Sequence, residues 1–361
     1  MKTNTYIYGA GGFSQVVTKE LLKQGVNIES IIDKYTDKTE LYGLPIVRPT
    51  ESLDTNAEVL LIISSFLYNE VVNELSKIGF SNFVYLDEVL NKNQSCIKEI
   101  VKDMIWYRKE QLFAADKVKL NQVEVLLSNQ ESIDTLRKVV SFRENPNSDD
   151  YIDGDNDVHY FSDSIAWTQK IESFRFVDCG AFTGDTLTSL VEVSKEYGKK
   201  IDNVVLFEPE DNNRKKLIQA ASQYQDFQYY IYPCGVWKED AFLFFSSRSS
   251  SFAVIDDNTK DADSYQIMCI DIDTALIGAK PNWIKMDIEG AEKEAIIGAK
   301  ETIKIYSPIL TIAIYHQPHD LWEIPLLIHE INPNYDMYIK AHGCFTIETV
   351  LYCVPKSARL N

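Results

Sequence analysis

Histidine is scarce in this chain, five in 361 residues, so each imidazole is informative in a search for acid–base or metal chemistry. The six cysteines (Cys96, Cys179, Cys234, Cys269, Cys344 and Cys353) form no C-x-x-C pair. Four of them sit inside strand-like apolar runs, the pattern of reduced, buried thiols in a cytoplasmic protein. No apolar run approaches the ~18 to 20 residues that span a bilayer. Nor is a signal peptide read at the N-terminus, where Met1 to Thr5 lead directly into a strand. Positive charge is in deficit: 36 Lys and Arg against 54 Asp and Glu leave a net charge of -18. Such a surface repels phosphate backbones, and the densest basic stretch, Arg214-Lys215-Lys216, reads as one solvated helix face. Nucleic acid is therefore excluded from the expected partners. Solenoid repeats and low-complexity tracts are absent. What is present is an ordinary globular composition, 45% hydrophobic and 25% charged, on a chain long enough for two domains.

Residues 1–95 alternate strand and helix signals. A short apolar strand at residues 5–8 runs into the turn Gly9-Ala10-Gly11-Gly12 and a helical stretch. Further strands are expected at 28–33, 44–47, 58–64 and 82–86, with a helix at 68–78. This predicts a small Rossmann-like α/β domain. Residues 96–149 carry Lys, Glu, Gln and Leu with apolar residues at helical spacing, and predict a linker of two helices. The acidic loop at 145–157 marks a boundary. A calcium site there is a weak alternative, because its ligand spacing is not that of an EF-hand. Residues 150–361 form a second α/β unit, with strands expected at 174–179, 203–207, 227–236, 283–287 and 309–315 and a hairpin-rich insertion at 241–275. The last two strands, at 336–340 and 346–354, lack a long helix between them. They predict a hairpin with an antiparallel edge strand, completing a seven-stranded, mostly parallel sheet.

Three motifs carry the chemistry. In the segment 176–186, FVDCGAFTGDT, a buried strand delivers Asp178, then Gly180, Ala181, Phe182 and Gly184, then Asp185 and Thr186 at a helix start. Glycine lets the backbone pass close to a ligand at a strand's carboxyl end. The spacing is neither G-x-G-x-x-G nor a P-loop. A zwitterionic amino-acid moiety suits it; a tight turn without a ligand is the alternative. Next, Glu208 ends the second strand at a distance suited to binding both hydroxyls of a ribose, and Pro209 stops the strand there. Third, in the segment 284–292, IKMDIEGAE, Asp287, Glu289 and Glu292 crowd a strand end, with Lys285 one pleat from Asp287. Charge gathered at a strand end is usually paired or functional; a capped helix start, with Glu292 complementing the dipole, is the bland reading.

With the segments 207–210 (FEPE), 233–237 (PCGVW), 312–325 (IAIYHQPHDLWEIP) and 349–353 (TVLYC), these motifs resemble the FkbM-type methyltransferases in order and spacing across about 174–355. The resemblance implies a class I methyltransferase fold, S-adenosyl-L-methionine as cofactor, and O-methylation of a sugar, glycan precursor or related hydroxyl. It further implies that Asp178, Gly180 and Gly184 hold the methionine part and Glu208 the ribose. Asp287 and the strand end near His316 would face the acceptor. His342 is an incomplete match to a basic segment of the family. An alcohol acceptor must lose its proton, and His316 or Asp287 is the expected base, with Glu289 beside them. His316 and His319, with Asp287 and Glu289, are also a candidate ligand set for a divalent cation; Mg²⁺ prefers the carboxylates.

The N-terminal Gly9–Ser14 turn followed by Asp33 approximates a dinucleotide fingerprint, with Ser14 in place of the third glycine. Residues 4–90 resemble the Rossmann-like domain of bacterial sugar acyltransferases, which implies a nucleotide-sugar ligand. An empty scaffold and an NAD-dependent oxidoreductase or epimerase are the alternatives. No Tyr-x-x-x-Lys pair is suitably placed for the latter.

Overall fold

The structure, a computed structural model, describes residues 4–50, 52–63, 67–102, 116–147, 150, 154, 157–165, 167–246 and 264–356. Most of the acidic loop considered for calcium lies outside these residues. The chain divides into two compact units, neither of them one contiguous stretch. One comprises residues 1–110, 137–156 and 343–347; the other comprises 111–136, 157–342 and 348–361.

The first unit is built on a six-stranded sheet of β1 (Thr5–Tyr8), β2 (Ile28–Ile32), β3 (Glu40–Leu41), β4 (Leu44–Val47), β5 (Glu58–Leu61) and β6 (Phe83–Tyr85). Its order is β3-β4-β2-β1-β5-β6, parallel apart from the β3–β4 pair. The apolar runs of β1 and β5 are buried, as expected of central parallel strands. Segment 343–347 belongs to this unit because Phe345 enters its core. Phe345 meets Phe13 edge to face at 4.9 Å and lies beside Phe142 at 6.2 Å.

The second unit carries a seven-stranded sheet: β7 (Ser173–Cys179), β8 (Lys200–Phe207), β9 (Gln228–Tyr232), β13 (Trp283–Met286), β14 (Ile309–Ala313), β15 (Tyr335–Ala341) and β16 (Thr349–Pro355). The order is β15-β16-β14-β13-β7-β8-β9. This is the expected class I arrangement; only the expected place of the reversed strand differs. The reversed strand is not at the edge: β16 is antiparallel to both neighbours and lies between β14 and β15. The reason is burial. All seven residues of β16 are buried, whereas β15 alternates and can take the outer place. The edge of β15 is also satisfied locally, because the N–H groups of Met337 and Ile339 donate to Ser128 Oγ and Ser132 Oγ, each at 3.0 Å. The expected third strand splits at Pro233. β9 stays in the main sheet, and β10 (Gly235–Val236) joins the hairpin of β11 (Ala241–Ser246) and β12 (Ser264–Ile270) in a small separate sheet.

Around the fully buried Trp283 the core is aromatic, with Phe161 and Trp167 centred 5.1 and 5.3 Å away. Three helices, not two, occupy the described part of 94–144: Gln94–Val101, Lys117–Leu126 and Gln130–Glu144. The last two separate where Leu127 turns extended and bridges to Met337. Among the described residues no helix is long and apolar enough to cross a membrane.

Candidate active site

All the site residues expected in the second unit fall at one edge of its sheet, where β7, β8, β13 and β14 end. β7 terminates in a turn that glycine alone fits. Gly180 has φ +89°, and a Cβ there would lie 2.0 Å from the carbonyl oxygen of Asp287. The N–H groups of Gly180 and Ala181 donate to Phe207 O at 3.1 and 2.9 Å, which clips the loop to β8. Phe182, also at positive φ, is 53% exposed. Gly184, at φ +93°, opens the helix Asp185–Glu196 against Leu217 and Ala220, with Thr186 buried in the first turn.

Glu208 is held at the tip of β8 by this loop. Its Oε2 accepts the Phe182 N–H at 2.9 Å and its Oε1 accepts the Glu210 N–H at 2.8 Å. Burial pushes its carboxyl up to about 7, against those two hydrogen bonds. Pro209 follows, its carbonyl taken by Arg214 at 3.0 Å.

Asp178 is fully buried beneath the loop, and its charge partner is Lys285 of β13, 2.9 Å away. Lys285 also donates to Gly180 O at 2.7 Å and lies 5.1 Å from the centre of the Tyr160 ring. Burial opposes the ammonium charge, but the carboxylates of Asp178 and Asp287 outweigh it and hold its pKa above the ordinary lysine value.

The acidic motif forms a second cluster. Asp287 Oδ2 accepts the Tyr160 hydroxyl at 2.6 Å, and Oδ1 accepts that of Tyr315 at 3.3 Å. Burial works against its charge; Lys285, His316 and the Tyr160 hydrogen bond prevail and lower its pKa. His316 follows β14 by three residues and is 1% exposed. Its Nδ1 pairs with Glu292 Oε1 at 2.9 Å, and its Nε2 lies 3.4 Å from Asp287 Oδ1 and 3.5 Å from Glu289 Oε2. Burial favours the neutral ring, but these three carboxylates raise its pKa to about 10. The ring thus carries its proton at neutral pH, unlike the unperturbed base that the sequence suggests. Glu289, at φ +59°, is pushed by burial up to about 7.

Glu292 does more than start a helix. Its Oε1 also accepts the Ile288 N–H at 2.8 Å, closing the turn between motif and helix. Asp287, Glu292 and His316 each offer one ligand atom, all within 4.8 Å of one another, a set that could hold a cation. His319 is outside that set and lies 4.0 Å from Glu323. His342 pairs instead with the Tyr352 hydroxyl at 2.7 Å. The sequence reading missed Tyr160 and Tyr315. Tyr160 comes from a loop ahead of β7 with no motif of its own, and no sequence signal marks it.

In the first unit, Gly9 takes φ +103° and the Ala10 N–H donates to Asp33 Oδ2 at 2.8 Å. The Asp33 carboxylate also accepts the N–H groups of Tyr35 and Thr36.

Residues 178–343 match the methyltransferase FkbM domain. Comparison with curated proteins finds no match. Among solved structures, methyltransferase FkbM from Methylobacillus flagellatus KT is similar with a TM-score of 0.62 at 21% identity, over 98% of this chain and 90% of that one. That likeness shows a shared fold. Aeropyrum pernix fibrillarin in complex with natively bound S-adenosyl-L-methionine gives a TM-score of 0.30 at 10% identity, over 51% of this chain and 67% of that one. The Methanococcus jannaschii fibrillarin pre-rRNA processing protein gives 0.32 at 11%, over 52% and 68%.

Proposed function

The chain carries a methyltransferase FkbM domain over residues 178–343, and from that premise we propose that it moves a methyl group from S-adenosyl-L-methionine to a hydroxyl of a sugar, glycan precursor or related small molecule. The observation that supports this reading is the juxtaposition of the glycine loop and the acidic cluster, brought together where Gly180 packs on Asp287. In an open parallel sheet, ligands lie beyond the carboxyl ends of the strands. The residues fit the donor. Each oxygen of Glu208 accepts one backbone N–H and keeps a second acceptor direction for a ribose hydroxyl. The helix that opens at Asp185 and Thr186 offers the N–H groups of its first turn for the amino-acid part.

The bound donor supplies a methyl group activated on a sulfonium. The protein's task is to align an oxygen with it and to take the proton that this oxygen releases. Glu289 suits the second role, because its pKa lies near neutrality and its side chain is partly exposed. The C–S bond breaks, the C–O bond forms, and the proton passes to the Glu289 carboxylate. Asp287, fixed by Tyr160 and Tyr315, orients the acceptor hydroxyl. His316, locked by Glu292, keeps its proton and balances the carboxylates.

A second reading rests on the Asp287, Glu292 and His316 set. A divalent cation held there would displace the proton from His316 and polarise the acceptor oxygen. For the first unit, the positive-φ turn at Gly9 supports a nucleotide-sugar ligand. The test is a mass-spectrometric screen of sugars, nucleotide sugars and glycan lipids with isotope-labelled donor. Transfer of one labelled methyl group to an oxygen is expected. Labelling of nitrogen or carbon alone, or bound nicotinamide in the purified protein, would sink the proposal. Loss of transfer in EDTA with recovery in Mg²⁺ would establish the cation reading.

A further inference from the structure

The charges around Asp287 are unevenly placed. The two cationic groups lie inward, Lys285 with 3% and His316 with 1% of the side chain exposed. Asp287 and Glu289 keep 24% and 39%. The accessible part of the cluster is therefore carboxylate, with its compensating cations behind it. Among the described residues Glu289 Oε2, Glu292 Oε2 and His316 Nε2 make no hydrogen bond, and the closest charge to Glu289 Oε2 is His316 Nε2 at 3.5 Å.

This carboxylate face shares an edge with the donor loop. The Asp287 N–H donates to Cys179 O at 3.0 Å, and Gly180 packs on the Asp287 carbonyl. Partly buried negative charge is costly unless a positive group comes to it. S-adenosylmethionine brings one, the sulfonium; its demethylated product, a thioether, has none at that atom.

We infer that Asp287 and Glu289 form a charge-reading face that binds the cationic donor in preference to its neutral product. The inference rests on the donor reading above. Its consequence is directional. When the methyl group leaves, the sulfonium charge disappears. The attraction vanishes in the step that makes the product, so the product departs and inhibits weakly.

Calorimetric titration of the full-length protein tests this without an acceptor. S-adenosylmethionine, S-adenosylhomocysteine and the ammonium analogue sinefungin are compared in EDTA-containing buffer. The donor and sinefungin should bind about tenfold more tightly than the thioether, a difference of about 1.4 kcal/mol. The ratio should shrink toward one in Glu289→Gln and in Asp287→Asn, and also as salt is raised. Glu289→Gln alters a partly exposed side chain, so it remains informative if Asp287→Asn unfolds. Equal or tighter binding of the thioether by the unmodified protein, or an unchanged ratio in the variants, would overturn the inference. Binding of none of the three ligands would instead overturn the donor reading.

Discussion

Lys285 and Asp178 occupy facing register positions on the adjacent parallel strands β13 and β7, with the ammonium 2.9 Å from the carboxylate. The same ammonium holds the carbonyl of Gly180, so one buried pair ties the donor loop to the acidic motif. Breaking such a pair leaves an uncompensated buried charge, which costs about 3–5 kcal/mol. Lys285→Met should lower unfolding stability by that order in denaturant titration. Lys285→Met with Asp178→Leu should lose less than Lys285→Met alone. Additive losses would show that the two groups do not act as a pair.

Gly180→Ala meets two obstacles, a positive φ and a carbonyl oxygen 2.0 Å from the new methyl group. Because that oxygen is backbone, the loop must move. Donor affinity should fall while far-ultraviolet circular dichroism keeps its native shape. Gly198→Ala, with positive φ but nothing within 4 Å, is the control and should cost only about 1 kcal/mol in stability.

Glu208→Ala should weaken donor binding by about 1.5–3 kcal/mol, the range for hydrogen bonds to a charged group. It also frees the N–H groups of Phe182 and Glu210. Glu208→Gln, which retains one acceptor oxygen, should lose less. Calorimetry giving wild-type affinity in both variants would remove Glu208 from the donor site.

On the acceptor side, Glu289→Gln should reduce turnover by about 100- to 10,000-fold, the usual contribution of a general base. His316→Gln should also reduce turnover, through loss of the charge that holds Asp287 and Glu289 in place. Single-turnover rates with a fixed acceptor measure both. A Glu289→Gln enzyme with wild-type turnover would return the proton to Asp287 or His316.

The pH dependence of stability has a definite sign. His316 has a folded pKa of about 10 against an ordinary 6.5. Its stabilising contribution is therefore complete below about 6.5 and is lost as pH rises through about 10. Glu208 and Glu289, raised from 4.5 to about 7, act in the same direction at lower pH, losing their contribution between those values. The melting temperature of the ligand-free protein should fall between pH 7 and 10, and His316→Gln should flatten that slope. A melting temperature that rises across this window would contradict the charge assignment.

Much of this protein is legible in local sequence. The apolar runs of β7, β8, β13 and β14 define parallel strands because their residues are buried on both faces. Gly180, Glu208 and Asp287 follow their strand ends directly, so strand direction alone places them at one sheet edge. Other features depend on packing between distant segments. The interior position of β16 follows from its burial on both faces, which the hairpin pattern does not reveal. Phe345 lies between β15 and β16 in sequence, yet its ring belongs to the core of the other unit. The protonation of His316 was equally hidden. An isolated imidazole titrates near neutrality, and only the fold brings Glu292, Asp287 and Glu289 around this one. Sequence determined which groups reach the site, because strand ends and glycine turns are local. Tertiary structure decided their charges, because burial and neighbouring charges are properties of the assembled site.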